Sequence, residues 1–595
     1  MEKLKTRDQI AAADKWQLED MFATDEAWEQ SLAEFKTELL RLGAYKGILK
    51  NAKAVKGCLS LTTQLESKIE LLYVYAHARF DENNLSDKYM KMHNVVRALF
   101  ADFAEAVSFV EPELSALSKE KLEAIAANKM LKDYDYYLKR LIDGKPHILS
   151  AAEEKLLAQS GNFASMFQQI FFIINDAELA LPEIEINGEK TQLTHGAYQI
   201  LLTNTDQAVR EKTFKEYYSA FIKKNNTFAT IYSAEVLKNI FYSRARKYAS
   251  YLDSTLWGED VPAAVYKTLI SSVDAALPAM HEYVHLRKKL LGLEKLNMYD
   301  MYVSVIEGAE LKLSYKDAYK LVVEGLVPLG EEYSRMLKKA YKTGWIDVYE
   351  TPAKRSGAYC THAKTAQHPY VLLNYKKTTH DVFTIAHEMG HAMHSYYSSK
   401  TQPESKADYK IFVAEVASTV NEMLLLSHIL KTTADTDLKK SLLAYKLDMI
   451  RTTIFRQTMF SEFELMMHEA AERGEPLTAQ VFNDAYYGLN KKYYGSGVEH
   501  NDEIKYEWSR IPHFYMSFYV YKYATGLTAA IKLSEDILSG DEAALKRYFN
   551  FLKAGGSKSP YEILKDAGAD LATAAPYQKL AEVFNNTLNE LKKLA

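Results

Sequence analysis

Apolar side chains recur every three to four residues along most of this chain, the spacing that places them on one face of an α-helix. The pattern predicts long helices over Ser60–Asn83 and Ser86–Val110, a further helical stretch through Asn175, and helices again from about residue 200. Three short stretches break it. Leu181-Pro-Glu-Ile-Glu-Ile-Asn187-Gly188-Glu-Lys-Thr-Gln-Leu reads as a β-hairpin, its Asn-Gly suited to a tight primed turn. Gly357-Ala-Tyr-Cys360-Thr-His362 and Pro369-Tyr-Val-Leu-Leu-Asn374 read as two further strands, and an exposed strand edge there would accept a peptide backbone. No short-period repeat or low-complexity linker interrupts the chain. With the hairpin as the edge of the first region, residues 1–200 form an N-terminal helical region and residues 201–595 a second helical domain.

Two predicted helices are apolar on more than one face and yet carry ionisable groups. In the stretch from Thr379 to Tyr397, Val382, Phe383, Ile385, Ala386, Met389 and Met393 surround His387, Glu388 and His391, and Asp381 complements the positive helix end. Gly390 costs about 1 kcal/mol against alanine in a helix interior, which implies close approach by another element. In Ile411-Phe-Val-Ala-Glu415-Val-Ala-Ser418-Thr-Val-Asn-Glu422, the residues Glu415, Ser418 and Glu422 make a narrow polar stripe. Buried polar groups need partners.

One zinc ion would supply them. His387 and His391, four apart, project from the same helical face and can converge on a metal, while Glu388 sits where it can take a proton from a water. A catalytic zinc usually takes three protein ligands. Glu415, reached through a loop at Pro403, is the expected third, and Glu422 the expected acceptor that orients a ligand histidine. His394 is a rival ligand on the same face as His387. It lies about 10.5 Å further along the axis, too far for three imidazoles to meet one ion. It is expected to pack or to face substrate.

At these residues the chain resembles oligoendopeptidase F, a bacterial relative of thimet oligopeptidase. The resemblance rests on His387-Glu-Met-Gly-His-Ala-Met-His394, Ala414-Glu-Val-Ala-Ser418, Lys354-Arg-Ser-Gly-Ala-Tyr-Cys360 and Tyr494-Gly-Ser-Gly-Val-Glu-His500. Arg510-Ile-Pro-His-Phe-Tyr515, Leu552-Lys-Ala-Gly-Gly-Ser-Lys-Ser-Pro560 and Lys15-Trp16-Gln-Leu18 extend it over nearly the whole chain. It implies a mostly α fold, that is, a large helical metallopeptidase with a deep substrate channel and a small β element near the active site. It also implies an endopeptidase for short unstructured peptides with a single zinc. In that family a histidine and tyrosines lie across the zinc from the glutamate, and His513 matches the histidine. A positioned imidazole or phenol could stabilise the charge that grows on the carbonyl oxygen. Tyr519 and Tyr523, expected at i and i+4 on one helix face, are the favoured tyrosines, with Tyr515 and Tyr521 as alternatives.

Composition narrows the setting. The net charge of −4 and the absence of a basic block give no nucleic-acid signal. The charged start, Met1-Glu-Lys-Leu-Lys-Thr-Arg, has no apolar signal core, and no apolar run approaches the length of a membrane span. Cys58 and Cys360 are too few for a disulfide framework, so a cytoplasmic setting is expected. The expected partners are oligopeptide substrates; oligomeric state has no signal. Two other readings share the metal helix: a zinc carboxypeptidase or dipeptidase, and a non-catalytic peptide-binding protein with structural zinc. Glu388 argues against the second, because a structural site needs no base and usually has four protein ligands.

Overall fold

Helix boundaries in this protein follow its caps. The computed structural model describes residues 4–186, 188–306 and 308–594. Ala52–Glu82 starts at Asn51, whose side chain accepts the Ala54 N–H, and Asp87–Val107 starts at Ser86, which accepts the Tyr89 N–H. These two helices pack along each other, as the apolar spacing predicts, although the first begins earlier than Ser60. Among the described residues the chain is mostly helical, with two small sheets. The hairpin consists of β1 (Glu183–Ile186) and β2 (Glu189–Gln192), paired antiparallel. Asn187 lies outside the described residues; Gly188 takes φ +83°, as a primed turn requires. The second sheet holds β3 (Ile346–Asp347), β4 (Tyr359–Thr361) and β5 (Tyr370–Leu372) in the order β3-β5-β4, with β3 parallel and β4 antiparallel to β5. The two-residue β3 is too short to carry a period-two signal.

The chain divides into two compact units, each assembled from three segments. One comprises Met1–Ile148, Glu310–Lys431 and Ala530–Ala569; the other Leu149–Ala309, Thr432–Ala529 and Asp570–Ala595. Residue 200, the boundary expected from the hairpin, falls inside the helix His195–Leu201 of the second unit.

Within the first unit, β4 packs on the helix Thr379–Thr401 that bears the two histidines. Its near end is tied down by buried Asp81, which accepts from the Tyr359 hydroxyl at 2.7 Å and from Arg355 at 3.3 Å. Lys354 is buried beside it. Its ammonium meets Asp347 at 2.7 Å and donates to the carbonyls of Tyr349 and Leu373 at 2.7 and 2.6 Å, stitching the strands together. The helix Ile411–Thr432 is apolar and long enough to cross a membrane by composition. Phe412, Val413, Val416, Val420, Leu424 and Leu425 are instead buried within the unit.

Candidate metal centre

The histidine helix is held at its start by a reciprocal cap. Asp381 accepts from the backbone N–H and the hydroxyl of Thr378, both at 2.9 Å, and from the Lys376 N–H, while its own N–H donates to Thr378. Nine residues on from Asp381, Gly390 lets Ile411–Thr432 come very close. A Cβ built on Gly390 would lie 2.5 Å from the Ser418 Cα and 2.7 Å from the Ala417 carbonyl oxygen. Asn421 bridges the same seam: its amide donates to the Ala386 carbonyl at 3.0 Å and accepts from the Tyr333 hydroxyl at 3.0 Å. The two helices are thereby fixed in depth and in register.

This seam brings His387, His391 and Glu415 together. The two Nε2 atoms lie 3.2 Å apart, and Glu415 Oε2 lies 3.4 and 3.3 Å from those of His387 and His391. Tetrahedral zinc with bonds of 2.0–2.1 Å separates its ligand atoms by about 3.3 Å, so the donors stand at the spacing the ion requires. Orientation agrees. His387 Nδ1 donates to Glu422 Oε1 at 2.6 Å, which leaves Nε2 to offer its lone pair, and Glu422 is the acceptor expected from the stripe. Burial works against the charge on His387, yet its hydrogen bonds to Glu415 and Glu422 raise it to about 10. Glu415, despite partial burial, is held far below the usual carboxylate range by hydrogen bonds from His387 and His391. A metal would take over the role that protons play among these groups.

Glu388 lies one residue from the first histidine and is only 7 % exposed. Burial raises its carboxyl above the ordinary value, with His387 and His391 opposing, which suits a group that must both accept and return a proton. His394 is not drawn into the donor set. It is fully buried, stacked on Tyr409 at 3.8 Å and packed on Phe551, and burial pushes it down to about 3. It packs.

In the second unit, His513 sits in a short 3₁₀ turn, Pro512–Tyr515, and helix Tyr521–Leu538 follows. Tyr519 therefore precedes the helix instead of sharing a face with Tyr523. The expected helical pairing fails because the backbone at Phe518 turns left-handed, φ +53°. The rings meet all the same. Tyr519 lies 5.4 Å from Tyr523 and 6.2 Å from His513, and Tyr523 lies 6.0 Å from His513. Tyr523 is 36 % exposed, whereas Tyr515 and Tyr521 are 7 % and 0 % exposed. Tyr515 stacks on Phe171 at 4.3 Å and Tyr521 packs on Tyr266. The alternation of ring exposure separates the four tyrosines, and no feature of their spacing announces it. Asn421 in its apolar helix carries no sequence signal of its own, and Glu464 and His468, at i and i+4, stand in a helix that also carries Glu462, Glu469 and Glu472, so nothing in the spacing marks them.

Known proteins resemble this chain over nearly its whole length. Residues 200–582 match the model of peptidase family M3, and residues 113–180 that of oligopeptidase F. The chain is 38 % identical to oligopeptidase PepF of Bacillus subtilis (strain 168), over 100 % of this chain and 89 % of that protein. It superposes on the crystal structure of a putative peptidase from Chlamydophila abortus with a TM-score of 0.94, at 34 % identity and covering 100 % of both chains. With oligoendopeptidase-F from Enterococcus faecium the TM-score is 0.72, at 35 % identity, covering 96 % of this chain and 99 % of the other.

Proposed function

The chain belongs to peptidase family M3, and on that premise we propose that it is a zinc metalloendopeptidase cleaving internal bonds of short, unstructured oligopeptides. The observation that carries the reading is the donor triangle of His387, His391 and Glu415, with edges of 3.2–3.4 Å, beside the buried carboxyl of Glu388. These three residues would hold one zinc ion, which when bound supplies Lewis acidity to a water and to the substrate carbonyl.

The protein's own groups do the rest. Glu388 takes the proton from the attacking water and later delivers it to the leaving amine. Glu422 keeps His387 in the tautomer that presents Nε2. His513, with Tyr519 or Tyr523, donates to the carbonyl oxygen as negative charge grows there. The edge strand β4 pairs with the substrate backbone, an interaction that ignores side-chain identity and so permits many sequences.

The test is a digest of a mixed peptide library, read by mass spectrometry with and without a chelator. Internal cuts that vanish with chelator and return with zinc are the expected result. Stepwise loss of terminal residues would assign the same metal helix to an exopeptidase, and binding without cleavage would leave a structural metal.

A further inference from the structure

Between Pro512–Tyr515 and Tyr521–Leu538 the chain passes through Met516, Ser517, Phe518, Tyr519 and Val520 without regular structure. Its pivot is Phe518, whose φ of +53° is the left-handed conformation. That conformation is strained for a residue with a side chain. Something must hold it. The Phe518 N–H donates to Glu464 Oε1 at 2.9 Å, and the Asn239 amide donates to the Ser517 hydroxyl at 2.6 Å. The Phe518 ring lies against His468 at 4.8 Å and edge-on to Tyr266 at 5.3 Å.

Glu464 is an unusual residue to find there. It is 0 % exposed, on the helix Arg456–Glu472, and among the described residues it forms no ion pair. Its second oxygen, Oε2, is buried without a hydrogen-bond partner. His468, one turn on, donates from Nδ1 to the Glu464 carbonyl at 2.8 Å, which leaves Nε2 to accept from Asn239 at 3.4 Å. Burial pushes the Glu464 carboxyl up to about 8 and His468 down to about 4, so both sit neutral at pH 7. A carboxyl in such surroundings is costly, and an apolar side chain of the same size would pack at no such penalty. What an apolar side chain would not do is accept the Phe518 N–H.

We propose that Glu464 is a positioning residue for the tyrosine turn: by accepting the Phe518 N–H it locks the left-handed backbone that sets Tyr519 against His513 and Tyr523. Asn239 and His468 complete the clamp from Ser517 and from the Phe518 ring. The inference rests on the reading of His513 and Tyr519 as donors to the carbonyl oxygen, and it adds the residue that aims them.

The experiment compares Glu464→Gln, which keeps an acceptor oxygen, with Glu464→Met, which keeps the volume and loses it. Both are measured in the zinc-loaded full chain together with Tyr519→Phe. Expected are a kcat about 10- to 100-fold lower in the methionine variant, with KM and thermal midpoint little changed, and a glutamine variant within a few-fold of the parent. Adding Glu464→Met to Tyr519→Phe is expected to cost little more than Tyr519→Phe alone. If Tyr519→Phe lowers kcat while Glu464→Met does not, the positioning role is overturned and the reading of Tyr519 stands. If Tyr519→Phe itself leaves kcat intact, the reading of Tyr519 falls and takes the positioning role with it. Should the methionine variant not fold, Glu464→Asp, whose carboxyl stops one methylene short, is expected to show the same fall in kcat. Full kcat in that variant would overturn the proposal.

Discussion

The helix pair that carries His387, His391 and Glu415 and the turn that carries Tyr519 are built on opposite principles. In the helix pair every donor stands on regular backbone, and a local cap, a glycine seam and the Asn421 bridge fix how the two helices meet. In the turn, regular structure stops where the chemistry-bearing residues begin. Its shape depends on partners 54 and 278 residues away in sequence, at Glu464 and Asn239. Helical periodicity can aim a side chain by itself, whereas a left-handed residue holds its place only if the surrounding fold insists.

The largest expected effect lies in the helix pair. Glu388→Gln is expected to keep its zinc content and to lose about 10²- to 10⁴-fold in kcat, the range for a general base. Metal analysis beside steady-state kinetics checks it; normal turnover would remove Glu388 as the base and with it the chemistry assigned to this region. Gly390→Ala is expected to destabilise the protein by about 1–3 kcal/mol, since its methyl group must displace the Ser418 backbone. An unchanged unfolding midpoint would mean that the seam yields, and that the helix pair is as adaptable as the turn. Glu422→Gln is expected to weaken zinc binding about 10-fold, because the amide no longer favours the His387 tautomer with a free Nε2. Competition with a chelator measures this, and equal affinity would make Glu422 a bystander.

The last prediction is a pH dependence of stability, and its sign differs between the regions. The Glu464 carboxyl is raised to about 8 by burial from an ordinary value of 4.5, so between those pH values the folded chain holds a proton that the unfolded chain releases. Its contribution therefore falls as pH rises from about 5 to 8, by at most about 1.4 kcal/mol per pH unit. In the metal-free protein Glu415 is held below 4.5, so its contribution is fully present above that value and is lost as the pH falls. Urea midpoints at pH 6 and 8 are expected to differ less in Glu464→Gln than in the parent. Identical differences in the two proteins would remove Glu464 as the source.

How much of this was legible follows from where each constraint comes from. The long helices, the β1–β2 hairpin, the strands near Cys360 and Val371, and the role of Gly390 in a close approach could all be read from the sequence. Each depends on residues close together in the chain. The seam residue Asn421 escaped notice because an amide in an apolar helix has meaning only when the facing carbonyl of Ala386 is known. Tyr519 was expected on a helix with Tyr523 because spacing suggested it, and spacing carries no information about a left-handed break at Phe518. The interleaving of three segments into each unit was equally silent, since no composition change marks residues 310, 432, 530 or 570.

By itself the sequence determined that His387, Glu388 and His391 share one helical turn, and that Glu415 and Glu422 line a stripe on a second apolar helix. A period of 3.6 residues leaves those side chains no other arrangement. Only the tertiary structure decided which tyrosines keep exposed surface, that His394 is lost to the core, and that Tyr519 meets His513 from outside the helix. Those outcomes turn on burial and on hydrogen bonds between distant segments, and such contacts exist only once the chain has folded.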